Sequence, residues 1–183
     1  RGMSRFYNIR GQRYIATTGY VTNNLNATES IAMLRNPSNS GMVLMFDKAE
    51  FGSTASTRFS RFGGGTISLN GSPTPRPIGR TDGGTATSVM EIYTGGATSP
   101  QFTVTSPGTL RKVATMLAFD SYQLLEMDGS SVLQPGQLAY WLVDEAPGGA
   151  GGTFTTFIDF EWIEIPVATW NAMVTALQAK AEY

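Results

Sequence analysis

Cysteine and histidine are absent from this chain of 183 residues, and the only lysines are Lys48, Lys112 and Lys180. Disulfides, thiolate nucleophiles, imidazole bases and the commonest zinc ligands are therefore excluded together. None of the lysines stands in a recognisable catalytic motif. The missing residue types favour a protein that is not an enzyme, with no catalytic residues, no metal site and no cofactor.

Long apolar runs are also missing. No segment approaches the ~18 apolar residues of a membrane span, and the N-terminal RGMSRFYNIR lacks the apolar core of a signal peptide. Hydrophobic side chains nevertheless make up 41% of the chain, which is enough to bury a core in one domain of ordinary size. We expect a single domain that does not bind a membrane.

Charge is distributed unevenly, although the net charge is only −1. Residues 1–80 hold ten basic and three acidic side chains, a net +7, whereas residues 81–183 hold three basic and eleven acidic ones, a net −8. This asymmetry predicts complementary surfaces, between copies of the chain or against an acidic partner, or two halves that neutralise each other within one fold. Nucleic acid is a weaker prediction, because the arginines are scattered and the pI is about 5.4.

Short segments rich in β-branched and aromatic residues recur along the chain, separated by turns rich in glycine, proline and asparagine. They predict eleven strands, at residues 12–17, 30–36, 42–51, 56–62, 66–69, 88–93, 101–105, 110–119, 122–127, 137–145 and 153–165. Because no helix intervenes between them, the pattern predicts an all-β antiparallel sandwich or barrel.

Carboxylates stand beside aromatic residues in the sequence FIDFEWIEIP, where Asp159 and Glu161 alternate with Phe160 and Trp162. A pair of carboxylates is the catalytic apparatus of most glycosidases. A half-buried strand produces the same alternation, with the aromatic rings on one face and the carboxylates on the other. We favour the strand.

The last two strands are joined by the loop APGGAGG, and we expect them to pair as a hairpin. Glycine-rich loops can also cradle phosphates, but no Lys-Ser/Thr pair and no helix follow this one. The loop is therefore predicted to be a hairpin tip.

Two segments are candidate partner-binding sites. The arm at residues 1–13 is basic and aromatic with no acid, so it is expected to be extended and to lie across a neighbour. Its candidate residues are Arg1, Arg5, Phe6, Tyr7, Arg10 and Arg13. The loop at residues 70–85 holds too much proline for a central strand and is expected to be an extended surface loop, either a binding loop or a connection between sheets. Its candidate residues are Pro73, Pro75, Arg76, Pro77 and Arg80.

Only the C-terminus has a helical pattern. Trp170, Met173, Val174 and Leu177 form one apolar stripe, which predicts a short amphipathic helix over residues 167–183. The predicted organisation is thus an arm at 1–13, a β-sandwich at 14–166 and this helix, packed on its own sheet or on a neighbouring subunit.

Turn sequences also carry a resemblance over roughly residues 30–166. They comprise an Arg-Asn-Pro-Ser-x-Ser-Gly sequence leading into a strand, a proline-rich middle, a Leu-x-Pro-Gly turn, and a last strand that closes aromatic, acidic, aliphatic, proline. In these features the chain resembles jelly-roll structural proteins of tailed bacteriophages. The matching positions are Leu133, Pro135 and Gly136 in the turn, and Trp162, Glu164 and Pro166 at the close of the last strand.

The resemblance implies an antiparallel jelly-roll sandwich that belongs to a virion and binds other virion proteins, commonly as a homotrimer. Major shell proteins need a long helix, which the sequence before residue 167 does not predict. We therefore expect a decoration, or cement, protein that binds the major capsid protein on the outer capsid surface. The alternative is a receptor- or carbohydrate-binding module of a tail fibre, with exposed Tyr and Trp as stacking platforms.

Overall fold

Antiparallel strands make up most of the part of the chain that the computed structural model describes, which is residues 12–24, 28–81, 83–116, 123–126, 132–145 and 152–181. The strands are Arg13–Thr17 (β1), Val21–Asn24 (β2), Glu29–Arg35 (β3), Met42–Ser53 (β4), Thr57–Gly63 (β5), Thr66–Leu69 (β6), Gly79–Arg80 (β7), Glu91–Thr94 (β8), Phe102–Ser106 (β9), Thr109–Met116 (β10), Gln123–Glu126 (β11), Val132–Leu133 (β12), Leu138–Glu145 (β13) and Thr153–Pro166 (β14). One helix, Val167–Ala181 (α1), follows β14 directly.

Two sheets pack face to face. The larger has the order β11-β4-β14-β1-β7, with β12 also pairing with β4 and β2 with β14, and the smaller has the order β10-β5-β13-β3-β8. Eight of these strands form the two four-stranded sheets of a jelly roll, with β1, β4, β11 and β14 in one sheet and β3, β5, β10 and β13 in the other. The predicted all-β sandwich is confirmed, and each of the eleven predicted strands overlaps an observed one. The short strands β2, β7 and β12 were not predicted.

Large aromatic side chains fill the space between the sheets. Phe160 and Trp162 of β14 and Trp141 of β13 are almost completely buried there. The ring centroids of Trp141 and Phe160 are 4.6 Å apart, and Phe46 of β4 meets Trp141 edge to face. Such pairs contribute about 0.5–1.5 kcal/mol each beyond their burial.

The outer face of the smaller sheet is covered by the two-stranded sheet of β6 and β9. Phe102 of β9 is buried against Met33 and Tyr140, and Ile67 and Leu69 of β6 pack on the same cluster. Strand β13 is therefore buried on both faces, with Tyr140 outward and Trp141 inward.

The hairpin predicted between the last two strands is wrong. Strand β13 pairs with β3 and β5, whereas β14 pairs with β1, β2 and β4 in the other sheet. The physical reason is that β13 is the central strand of its sheet. Its two edges are already hydrogen-bonded to β3 and β5, so neither edge is open to β14. Residues 146–151, which contain most of the predicted hairpin tip, lie outside the described residues.

The first turns of α1 pack on the outer face of the larger sheet. Trp170 and Met173 cover Met45, Ile163 and Ile165, as the apolar stripe predicts. The stripe does not stay on the sheet, because Leu177 is 49% exposed and the helix from Thr175 to Ala179 is exposed on all sides.

Buried Asn36 joins the two turns that lead into β4 and β13. Its N–H donates to Gln137 O at 2.9 Å, and Gly136 N–H donates to Asn36 O at the same distance. Its side-chain amide donates to Met42 O at 2.8 Å and to Leu133 O at 2.9 Å. Asn36 thus ties the RNPSNSG and LQPGQ turns into one unit.

We predict that Asn36→Ala lowers the free energy of unfolding by about 2 kcal/mol, because it removes two donors from buried carbonyl groups. The matched control is Asn39→Ala in the same turn, whose side chain is exposed and should change stability by less than about 0.5 kcal/mol. Urea unfolding of both variants measures the difference. Equal effects of the two substitutions would contradict the role given to Asn36.

Candidate functional site

The carboxylates of β14 lie on the outer face of the larger sheet, opposite the buried Phe160 and Trp162. Glu161 lies between two cations, with Lys48 Nζ at 2.7 Å and Arg13 Nη1 at 3.7 Å from its carboxylate. Asp159 stands two residues before it on the same face, and no described residue forms an ion pair with it. The two carboxylates predicted to share a face do so, but only Glu161 is held by cations.

A bulge in β4 builds the cation network. Phe46 and Ala49 are both buried in the core, so the two residues between them, Asp47 and Lys48, both face outward. The register with β14 shifts at this point, since Glu161 faces Lys48 and Trp162 faces Phe46. The extra residue, Asp47, forms an ion pair with Arg13, in which Asp47 Oδ2 lies 2.7 Å from Arg13 Nη1.

The ion-pair network raises the pKa of the Lys48 ammonium. A hydrogen bond from its side chain to Glu161 raises the pKa of Lys48, and this effect outweighs the lowering caused by desolvation. The nearby charges of Glu161, Glu50 and Asp47 raise the pKa further. The network therefore favours the charged form of Lys48.

Arg13 belongs to the sandwich and not to the arm. It is the first residue of β1 and lies opposite Ile163 of β14, and Gln12 O accepts a hydrogen bond from Glu164 N. The predicted boundary at 13/14 is thus too late, because the partners of Arg13 are distant in sequence. The other arm candidates, Arg1, Arg5, Phe6, Tyr7 and Arg10, lie outside the described residues.

The proline-rich loop is extended, as predicted, and is tied to the sandwich at several points. Arg76 N donates to Ile92 O at 2.8 Å, and Thr74 O accepts from Gln101 Nε2 at 2.9 Å. At its end β7 pairs with β1 as the edge strand of the larger sheet, and the Arg80 guanidinium lies 5.5 Å from the Tyr14 ring centroid. Of the predicted binding residues, Pro77 is exposed, whereas the others are half-buried: Pro73, Pro75, Arg76 and Arg80.

An aromatic platform on the same outer face was not predicted. The chain kinks between β1 and β2, and Tyr20 at this kink is 83% exposed. Its ring meets Phe157 edge to face at 5.9 Å, and Phe157 lies across Gly52, where a Cβ atom would overlap the ring. Thr17, Tyr20, Phe157 and Asp159 line a depression of about 220 Å³ here.

Buried Glu164 has a structural role. Its carboxylate accepts hydrogen bonds from Trp162 Nε1 at 3.0 Å, from Val89 N at 3.3 Å and from Ser88 Oγ. It therefore fixes the segment before β8 over the end of the core. The sequence identified this residue only by its place at the close of the last strand.

Ion pairs join the basic and acidic parts of the chain. Arg35 pairs with Glu91, and Arg58 pairs with Asp144 at 2.6 Å. Together with the contacts of Glu161, they link residues of the first 80 positions to residues of the remainder. Among the described residues, the two halves neutralise each other in part within one fold, which was one of the two predicted explanations of the asymmetry.

Comparisons with protein-family models, with curated proteins and with solved structures find no match to this chain. Within the described ranges, no three Asp and Glu side chains cluster as a metal site would require. Of the helices in the described part of the chain, none is long and apolar enough to cross a membrane.

We predict that Glu161→Gln lowers the free energy of unfolding by about 0.5–1 kcal/mol at low ionic strength, because it removes the ion pairs with Lys48 and Arg13. The effect should be smaller in high salt, since these ion pairs are partly exposed and are screened. Asp159→Asn on the same face serves as the control and should lower the free energy of unfolding by less. The pKa of Lys48 is raised in the folded state, so its contribution is complete below the unfolded pKa of about 10.4 and is lost as pH rises through the raised value. Urea unfolding at several pH values should show the Glu161→Gln deficit shrinking in that alkaline window, and a deficit that grows there would contradict the network.

Proposed function

We propose that the chain is a non-enzymatic virion structural protein that binds the outer surface of a tailed-phage capsid as a decoration, or cement, protein. The observation that carries the proposal is the joint at Asn36 within a jelly roll. The RNPSNSG and LQPGQ turns are two of the features on which the resemblance rests. Their hydrogen bonds to each other support treating them as one structural unit rather than as separate chance matches.

Binding is favoured over catalysis by how the described carboxylates are used. Glu161 is held between Lys48 and Arg13, and Glu164 accepts three hydrogen bonds that fix a loop. A glycosidase requires two carboxyl groups free to act as acid and as base or nucleophile. Only Asp159 on this face has that freedom among the described carboxylates, which supports a stoichiometric role.

Self-association as a homotrimer is part of the proposal. The second half of α1 is exposed, with Leu177 49% accessible, and this apolar side chain suits a contact with another copy. The major capsid protein is the proposed partner of the trimer. Three linked copies that bind the shell gain avidity from modest individual contacts.

Deleting residues 1–11 should reduce the occupancy of the shell, because it removes the proposed contacts of the basic arm. The melting temperature should not fall, because the deletion spares Gln12 and Arg13, which contact β14 and β4. Each lost exposed charge contact is worth about 0.2–1 kcal/mol, so the loss should be largest at low salt. Cosedimentation with shells stripped of this protein measures occupancy across salt concentrations. Full occupancy by the truncated protein would move attachment to another surface, and no binding by the intact chain would overturn the proposal.

A second candidate function, carbohydrate binding in a tail fibre, is favoured by the aromatic platform. Exposed Tyr20 and the adjacent Phe157 offer ring faces for a sugar, and Asp159 offers a hydrogen-bond acceptor in the same depression. Pockets that hold small ligands combine apolar walls with a few polar groups in this way.

If the second function holds, a glycan array probed with the intact chain should give specific signals that Tyr20→Ala removes. Ile15→Ala is the matched control, since Ile15 is a partly exposed apolar residue of the same sheet. An array with no signal for the intact chain, or with signals unchanged by Tyr20→Ala, would exclude sugar binding by the platform.

A further inference from the structure

A second concentration of positive charge lies beside the LQPGQ turn. Arg61 of β5 and Arg111 of β10 line an open cleft of about 520 Å³. Glycine backbone and aliphatic side chains supply most of the remaining wall, including Gly64, Gly136 and Leu138. Among the described residues that line the cleft there are two guanidinium groups and no carboxylate.

Arg61 points into the core end of this cleft. It is only 7% exposed, and its guanidinium carbon lies 4.5 Å from the ring centroid of Phe46 and 5.9 Å from that of Trp141. Burial, assisted by the nearby charge of Arg111, lowers the pKa of Arg61 to about 10, so the group is still charged at neutral pH.

A bulge directs Arg111 toward the same cleft. Leu110 lies opposite Phe62 and Lys112 lies opposite Arg61, so Arg111 is the extra residue of β10. Its side chain runs over Gly63, where a Cβ atom would lie 3.3 Å from Arg111 Nε. Bulges of this kind often re-aim a side chain at a functional site. No described residue forms an ion pair with Arg111.

The glycine wall is formed by two loops in close contact. Gly64 and Gly65 have φ values of +73° and +90°, which favour glycine. A Cβ atom on Gly65 would lie 2.7 Å from Gly108 N, so the two loops are in close contact. Gly108 N donates in turn to the hydroxyl of buried Tyr140 at 2.8 Å, and the Tyr140 ring stacks on Phe62. The cleft is therefore formed before any ligand arrives.

We propose that this cleft binds the side-chain carboxylate of an aspartate or glutamate in an extended segment of a partner protein. Guanidinium groups match a carboxylate through paired, charge-assisted hydrogen bonds. A small dicarboxylate presents the same chemistry, but the cleft is open, and its glycine and aliphatic walls suit the peptide chain on either side of an acidic residue. The inference does not depend on the proposed capsid role, because it rests on the cleft alone.

Fluorescence anisotropy with a labelled peptide that contains two glutamates tests the site, and the same peptide with glutamines is the reference. The glutamate peptide should bind, more weakly at high salt, and the glutamine peptide should not. Arg111→Met should weaken binding about tenfold or more, since one charge-assisted interaction is lost. Arg58→Met is the matched control, because it removes an exposed arginine of the same strand that does not line the cleft, and it should leave binding unchanged.

Gly63→Val provides a second variant that changes no charge. Gly63 has no left-handed φ, so valine is tolerated by the backbone, but its side chain would displace Arg111 and narrow the cleft. It should weaken binding with little change in melting temperature. Equal binding of both peptides, binding that survives Arg111→Met, or succinate binding as tightly as the glutamate peptide would overturn the assignment.

Discussion

The alternation of β14 between the core and the outer face of the larger sheet is the constraint on which the rest of the structure depends. Its inward residues, among them Phe160 and Trp162, fill the space between the sheets, while its outward Glu161 pairs with Arg13 of β1 and Lys48 of β4. Because β14 pairs with β1, β2 and β4 at once, a one-residue slip would reverse both environments. The same strand then continues into α1 without a loop.

Local sequence patterns predicted the positions of strands and of the helix better than they predicted which strands pair. Alternation along a strand is a property of adjacent residues, so all but the short strands β2, β7 and β12 are found from the sequence, as is the helix. Pairing depends on which strands lie along each edge, and the edges of β13 are taken by β3 and β5, far away in the chain. Arg13 was assigned to the arm for a similar reason, since composition does not reveal contacts with Asp47 and Glu161.

The candidate sites arise where strands deviate from regularity, and this explains why the sequence missed them. Tyr20 is exposed because the chain kinks between β1 and β2, and Arg111 reaches its cleft because β10 bulges. Neither deviation has a sequence signal as clear as alternation. The proline-rich loop did have such a signal, yet most of its candidate residues are half-buried, and Pro77 is the exposed one among them.

The central claim is that this jelly roll acts by binding a capsid lattice in many copies rather than by catalysis. A subnanometre cryo-electron microscopy reconstruction of the virion that contains the chain tests it most directly. The account predicts jelly-roll density repeated over the outer surface of the whole shell, grouped in threes. Density restricted to the tail, or absent from the shell surface, would contradict it.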